Sequence, residues 1–256
     1  MIDVHSHIVF EVDDGSKSIE QSIEILQEAS KVGFEKVIVT PHYIEGYYEM
    51  DKKEIFARIA TIKEKLKNIG CDIEILQGNE IYITNNINEL LENEQVTALN
   101  DKKYVLFELP LNAEAMNLNK VVYQILEKGR IPILAHPERY SFVQKDPNVL
   151  LGLIEDGVLI QSNYGSIIGQ YGRQAKETLK KMLKHNMLHL LGSDVHRPNT
   201  IYPKIEEAIE EIKKIVDEET LENITLNYPQ AVIEGKIIDI PNAMPIKTTI
   251  FSKLFH

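Results

Sequence analysis

Two histidines spaced i and i+2, His5 and His7, close the short run Ile2-Asp3-Val4. On an extended strand that spacing turns both imidazoles to one face, where they can share a metal ion. The pattern returns near the other end, where His189-Leu190-Leu191-Gly192-Ser193 leads into Asp194-Val195-His196. Between these pairs, further strand-type runs end in a group able to ligate. Val37 to Pro41 ends at His42, Ile73 to Asn79 at Glu80, Tyr104 to Phe107 at Glu108, and Ile131 to Ala135 at His136. The run Val158 to Asn163 offers an amide instead.

Helical patterns separate these runs. Ser18 reads as an N-cap, followed by the stripe Ile19, Ile23, Leu26 and Val32 ending near Gly33. After the loop Tyr43 to Met50, the stripe Ile55, Ile59, Ile62 and Leu66 predicts a helix through about Asn68. Further helices are predicted over about Asn86 to Glu92, Leu118 to Lys128, from Asp146-Pro147, over Arg173 to His185, Ile205 to Val216 and Glu219 to Asn223. Tyr164 to Gln170 reads as a glycine-rich loop and Met187 to Leu191 as a strand. Strands alternating with helices imply an α/β fold with a parallel sheet, and strands apolar on both faces imply a barrel. The pattern predicts a distorted seven-stranded (β/α)7 TIM-like barrel over residues 1–240 and a C-terminal tail over 241–256.

In such a barrel the C-terminal strand ends meet at one mouth. His5, His7, His42, His136, His196, Glu80, Glu108 and Asp194 would gather there, with Asp13 or Asp14 supplied by the loop Ile8 to Lys17. So many carboxylates repel one another unless cations intervene, and the donors exceed what a single ion uses. Imidazole and carboxylate without sulfur suit manganese, iron or zinc, with manganese favoured. Clustered ions acidify a water and hold phosphoryl oxygens, so hydrolysis of a phosphate ester is the expected chemistry.

His5-Ser6-His7, His42, Glu80, His136 and Asp194-Val195-His196 resemble the metal motifs of the PHP (polymerase and histidinol phosphatase) superfamily. Val12-Asp13-Asp14-Gly15, Thr40-Pro41-His42, Gly78-Asn79-Glu80, Glu108-Leu109-Pro110, His136-Pro137-Glu138-Arg139-Tyr140 and Gly192-Ser193-Asp194-Val195-His196 are similar to its bacterial capsule and exopolysaccharide biosynthesis tyrosine phosphatases. The resemblance covers nearly the whole chain. It implies a PHP fold and a manganese-dependent protein-tyrosine phosphatase acting on a membrane-associated tyrosine kinase. It implies one ion held by His5, His7, Glu80 and Asp194, a second by Glu80, Glu108 and His136, and a third by Asp14, His42 and His196. Arg139 is implied as the phosphate ligand that assists the leaving group. Arg197 sits closer to the Asp-x-His motif than the family's second arginine and is carried as its candidate replacement. Tyr164 stands where relatives have a small residue and is expected to narrow the pocket or stack on a substrate ring.

Bulk properties bound the alternatives. The 256 residues fit one domain of barrel size, about 250 residues. No apolar run reaches the roughly 18 residues of a membrane span and no signal-peptide pattern opens the chain, so a soluble cytoplasmic protein without stable membrane insertion is expected. The net charge of −11 opposes nucleic acid. The lone Cys71 excludes an internal disulfide and a thiolate-rich metal site. Competing functions are a phosphoesterase on histidinol phosphate or a phosphodiester, and a non-catalytic phosphotyrosine-binding regulator.

Less specific residues receive plain readings. Tyr43, Tyr47 and Tyr48 are candidates for a rim around a phenyl ring, with packing on the barrel as the commoner outcome. Arg173 opens a helix that could hold an anion. Glu138 is read as orienting Arg139 through an ion pair, Glu11 as solvated, and His185 and His189 as structural. In the tail, Ile246, Lys247, Ile250, Phe251, Lys253, Leu254 and Phe255 mix apolar and basic groups, as a membrane-surface or partner-binding segment does.

Overall fold

The structure, a computed structural model, describes residues 1–112 and 118–247. The tail residues Ile250, Phe251, Lys253, Leu254 and Phe255 therefore lie outside the described residues. Strands are β1 (Ile2–Asp3), β2 (Lys36–Val39), β3 (His42–Tyr43), β4 (Glu74–Gln77), β5 (Glu80–Tyr82), β6 (Tyr104–Glu108), β7 (Ile131–Leu134), β8 (Leu159–Asn163) and β9 (Leu190–Gly192). Helices are α1 (Ile19–Lys31), α2 (Lys52–Asn68), α3 (Ile87–Glu92), α4 (Leu118–Glu127), α5 (Ser141–Lys145), α6 (Val149–Glu155), α7 (Tyr164–Ile167), α8 (Arg173–Lys184), α9 (Ile205–Lys213), α10 (Glu218–Glu222) and α11 (Tyr228–Glu234).

The strands pair in parallel in the orders β1-β2-β4 and β3-β5-β6-β7-β8-β9. The two sheets are one ring with a break in it. Pro41 has no N–H to give to the ladder, so β2 and β3 are halves of one interrupted strand. Gly78-Asn79 interrupts the neighbour in the same place, and the Gly78 N–H to Val39 O bond (2.9 Å) and the Glu80 N–H to Pro41 O bond (3.2 Å) carry the ladder across. Asn79 fills the gap with its side chain, donating to Pro41 O (3.1 Å) and accepting from Thr97 N (2.8 Å). A bridge between Ser6 and Val195 closes the ring, flanked by His7 N–H to Val195 O (2.9 Å) and Asp194 N–H to His5 O (2.8 Å). With each interrupted pair counted as one strand, the described residues form the expected seven-stranded curled sheet.

Side-chain alternation builds two apolar layers. Ile38, Tyr104, Leu106, Ile133, Leu159 and Leu190 fill the barrel interior, while Val37, Val39, Val105, Phe107, Leu134, Ile160 and Leu191 pack outward under the helices. In α2 the buried residues are the expected Ile55, Ile59, Ile62 and Leu66. In α1 the buried face is rotated from the expected stripe to Ser22, Ile25, Leu26 and Ala29. The hydroxyl of Ser22 donates to Ile8 O (2.5 Å), which makes burial of that polar residue cheap.

Several boundaries differ from the sequence reading. Tyr164 to Gln170, expected as a loop, begins with α7, and the strand expected at Met187 to Leu191 is β9, starting at Leu190. α11 is not among the helices predicted from the sequence, and it contains Pro229. It directly follows the π-helical turn Asn223–Asn227 in a helical stretch continuous from α10, and that wider turn accommodates the missing N–H of the proline, while Val232 and Ile233 of this helix join the inner core.

His189, expected to be structural, is fully buried between the layers. Its Nδ1 accepts the Ile160 N–H (2.9 Å) and its Nε2 has no partner. Burial pushes its pKa down to about 4. The unfolded chain therefore takes up a proton near pH 6.5 that the folded chain refuses until about pH 4. Stability is whole above the first value and falls by about 3 kcal/mol between the two. In urea unfolding from pH 7 to 4, wild type should lose that amount relative to His189→Gln, and a pH-independent difference would refute this account.

Candidate metal centre

The inner parity of the strands runs on beyond their ends and aims the site. Ile38 is followed at the same parity by Thr40 and His42, Leu106 by Glu108, and Leu159 by Gln161 and Asn163, whereas Asp194, beyond Leu190 and Gly192, takes a positive φ of 53°. His136 has the opposite parity to Ile133 and Ala135, and its left-handed backbone (φ 35°, ψ 49°) redirects it. At the first strand, the Asp3 carboxylate accepts the N–H of His5 (3.2 Å), a local turn that breaks the alternation set by Ile2 and Val4. Asp3 also accepts from Ser193 N (2.9 Å) and Tyr202 Oη (2.7 Å), which fastens the first and last strands together.

Glu80 stands at the centre, fully buried. Its Oε2 lies 3.3 Å from His5 Nε2, 3.3 Å from His7 Nε2 and 2.9 Å from His42 Nδ1, and its Oε1 lies 2.9 Å from His136 Nε2. Glu108 reaches His42 Nδ1 at 3.0 Å and His136 Nε2 at 3.8 Å. Asp194 Oδ1 is 3.6 Å from His5, 3.4 Å from His7 and 3.6 Å from His196. Asp14 Oδ1 is 3.3 Å from His196 and 3.6 Å from His42. All nine residues expected as ligands are thus brought together. Metal-sized clusters form from His5, His7 and Glu80, from His42, Glu80 and Glu108, and from His7, Asp14, His42 and His196. His42 therefore stands between two clusters, where the sequence reading gave it to one.

The hydrogen bonds behind the rings show that these donors fit a cation. His5 Nδ1 faces Gln161 Oε1 (2.9 Å), and that amide is oriented by its Nε2 donating to Ser162 O (2.8 Å) and Asn163 Oδ1 (3.0 Å). His7 Nδ1 faces Asp13 Oδ2 (2.7 Å). Both partners accept, so each ring donates from Nδ1 and turns its Nε2, 3.1 Å from the other's, toward the same space as Glu80 Oε2, where a metal would take the place of any Nε2 proton. Glu80 Oε2 and His42 Nδ1 are buried without a hydrogen-bond partner. A divalent metal satisfies such a set. Burial opposes charge on His5, His7 and His42, yet the facing carboxylates outweigh it and raise all three, His42 to about 10.

Asp13 is the residue the sequence reading undervalued. It caps the turn by accepting from Gly15 N (2.8 Å), as expected of an aspartate there, and it also holds His7 and accepts from His42 N (2.9 Å). Burial opposes its ionisation, but His7 and these N–H donors hold its pKa far below the usual carboxylate range. Asp13→Ala should weaken metal binding about 10- to 100-fold while all ligands remain. Titration of the metal-free protein with manganese measures it, and an unchanged affinity would leave Asp13 a turn cap only. Gly192 matters through space, since a Cβ there would lie 2.6 Å from His5 Cβ and 2.9 Å from Gln161 Nε2.

A cleft of about 370 Å³ opens over the cluster, lined among others by Leu111, Arg139, Tyr171 and Arg197. Arg139 Nη1 donates to Asp194 Oδ2 (2.8 Å), which also accepts from Asn163 Nδ2 (2.7 Å). Glu138 does not pair with Arg139 as expected: its Oε1 accepts from Asn163 N (3.0 Å) and Ser166 Oγ (2.6 Å). Arg197 Nη1 donates to the carbonyls of Asp14, Gly15 and His196, clasping the first and last loops. Tyr164 neither narrows the pocket nor meets a substrate, being fully buried edge-on to Phe34. Of the tyrosine rim, Tyr43 is in the core, Tyr48 stacks beside His42 (6.2 Å) and Tyr47 is 74% exposed. Arg173 is exposed at the start of α8.

The family described as capsular polysaccharide synthesis, CpsB/CapC, matches residues 1–234. The tyrosine-protein phosphatase YwqE of Bacillus subtilis is 31% identical over 214 residues, 84% of either chain. The tyrosine-protein phosphatase CpsB of Streptococcus pneumoniae is 29% identical over 243 residues, 93% of this chain and 100% of that one. A crystal structure from the pair YwqE and CpsB, described as unique metal-dependent tyrosine phosphatases, superposes with a TM-score of 0.90 at 28% identity, over 97% of this chain and 100% of that one.

Proposed function

The chain belongs to the CpsB/CapC family of capsular polysaccharide synthesis, and from that premise we propose that it is a metal-dependent tyrosine phosphatase. One observation carries the reading: the Nε2 atoms of His5 and His7 converge with the oxygens of Glu80 and Asp194 beneath a cleft lined by Asp194 and Arg139. His5, His7, Asp14, His42, Glu80, Glu108, His136, Asp194 and His196 would hold the ions. Manganese, up to about three ions, is the proposed metal because the donors are imidazole and carboxylate without sulfur, and iron or zinc would fit the same set. When bound, the ions stabilise charge on phosphoryl oxygens and acidify water.

The chain's own residues do the rest. Arg139, with Nη1 fixed by Asp194, keeps further N–H donors for a bidentate grip on phosphate oxygens. A phenol of pKa about 10 then leaves without a strong acid. Arg197 supports the cleft by joining the loops that carry Asp14 and His196, and it is proposed as a second phosphate contact through its remaining donors. The proposed substrate is a phosphotyrosine on a membrane-associated tyrosine kinase of capsule assembly. No helix among the described residues is long and apolar enough to cross a membrane.

Manganese-loaded protein should release phosphate from a phosphotyrosine peptide faster than from histidinol phosphate or a short single-stranded oligonucleotide. The reverse preference, or no release, sinks the reading.

A further inference from the structure

The stretch after β8 carries no metal ligand, yet it brings Gln170 and Tyr171 to the cleft. It runs through α7 into a tight return, with Gln170 N–H donating to Gly165 O (2.9 Å) and Gly172 N–H to Gly169 O (3.0 Å). Gly169 and Gly172 take φ of 85° and 90°, a conformation that side chains resist. At Gly165 the need is space: a Cβ there would lie 2.8 Å from Gln170 Oε1 and 3.1 Å from Tyr171 Cε2. The absent side chain is the recess in which the Tyr171 ring sits. That ring lies against Arg139, whose Cζ is 4.4 Å from its centroid. The Tyr171 hydroxyl is 3.5 Å from Asp194 Oδ2, at the limit of a hydrogen bond, whereas Arg139 Nη1 is 2.8 Å from that oxygen.

We propose that Tyr171 is a positioning residue for Arg139, its ring holding the guanidinium plane so that the edge not bound by Asp194 faces the cleft to receive phosphate. The inference rests on the phosphatase reading. A long arginine side chain held by one acceptor can swivel about that bond, and each approaching phosphate would have to stop the motion. A second contact, on the face of the guanidinium, removes that freedom in advance. An aromatic ring suits the task because it attracts the cation without occupying any of its donors. The return through Gly165, Gly169 and Gly172 is then the device that delivers the ring.

The test uses the full-length, manganese-loaded protein and inorganic phosphate, with binding followed by calorimetry. Wild type should bind phosphate and Arg139→Ala should weaken it. Tyr171→Leu should weaken it about 5- to 30-fold, the range a partly desolvated cation–π contact spans, with metal content unchanged. Tyr171→Phe keeps the ring and should restore affinity to within about threefold of wild type, while Gly165→Ala should move in the direction of Tyr171→Leu. In the Arg139→Ala background Tyr171→Leu should add nothing. With phosphotyrosine peptide, Tyr171→Leu should raise KM as well as lower kcat.

The proposal is overturned if Tyr171→Leu binds phosphate like wild type while Arg139→Ala does not, or if it weakens binding equally without Arg139. Loss of metal in Tyr171→Leu also overturns it, because the effect would then run through Asp194. Absence of Arg139-dependent phosphate binding in wild type would instead bring down the phosphatase reading and this inference with it.

Discussion

Glu80→Gln should leave the barrel folded, remove at least one ion per chain and lower turnover of a phosphotyrosine peptide by on the order of 1,000-fold. The substitution keeps the shape of the side chain and takes away its charge. Glu80 faces four imidazoles with its two oxygens and takes part in two of the three metal-sized clusters, so the change disturbs several donors at once. The amide would also turn an N–H toward nitrogens that the metal needs bare. Elemental analysis and steady-state kinetics read the two effects. Thermal unfolding gives a third readout, because a ligand present at about 100 times its Kd stabilises the folded state by about 2.7 kcal/mol. Wild type should gain stability when manganese is added, and the variant should gain less. Full metal content with wild-type turnover would remove Glu80 from the centre.

Arg139→Ala should lower kcat/KM by about 100- to 1,000-fold, the cost of losing a preorganised charge aimed at a transferring phosphoryl group. The metal should stay, because Asp194 keeps its bond from Asn163 and its approach to the histidines. Arg139→Lys should fall between the two. A lysine supplies the charge but not the planar fork, and its flexible stem cannot lie flat on Tyr171. Release of phosphate at matched metal loading measures both variants, and an Arg139→Ala protein with unimpaired kcat/KM would leave the arginine as a mere partner of Asp194.

What was legible in the chain was whatever is written locally. The ligands at His42, Glu80 and Glu108 stand at the ends of apolar runs, where period-two alternation continues to aim side chains inward. The same rule does not explain His136, whose left-handed backbone sets its direction, since no residue type in Ala135-His136-Pro137 announces a positive φ at histidine. The supporting groups were less visible still. Gln161 is 156 residues from the His5 it orients, and nothing in Leu159 to Asn163 marks that amide as a partner. Asp13 and Asp14 are adjacent and chemically identical, so the sequence could not show that one would face His7 from behind and the other the cleft. The error over Tyr164 has a similar origin: α7 begins at that residue, and its ring turns into the core beside Phe34.

The seam at Ser6 and Val195 has a consequence for how the protein is made. His5 and His7 leave the ribosome first among the ligands, and Asp194 and His196 leave last. Contacts so distant in sequence form late and slowly, so an early metal ion would meet only part of its cage. An ion held between the first and last strands would therefore be a late arrival, a rivet set after the staves have been drawn together.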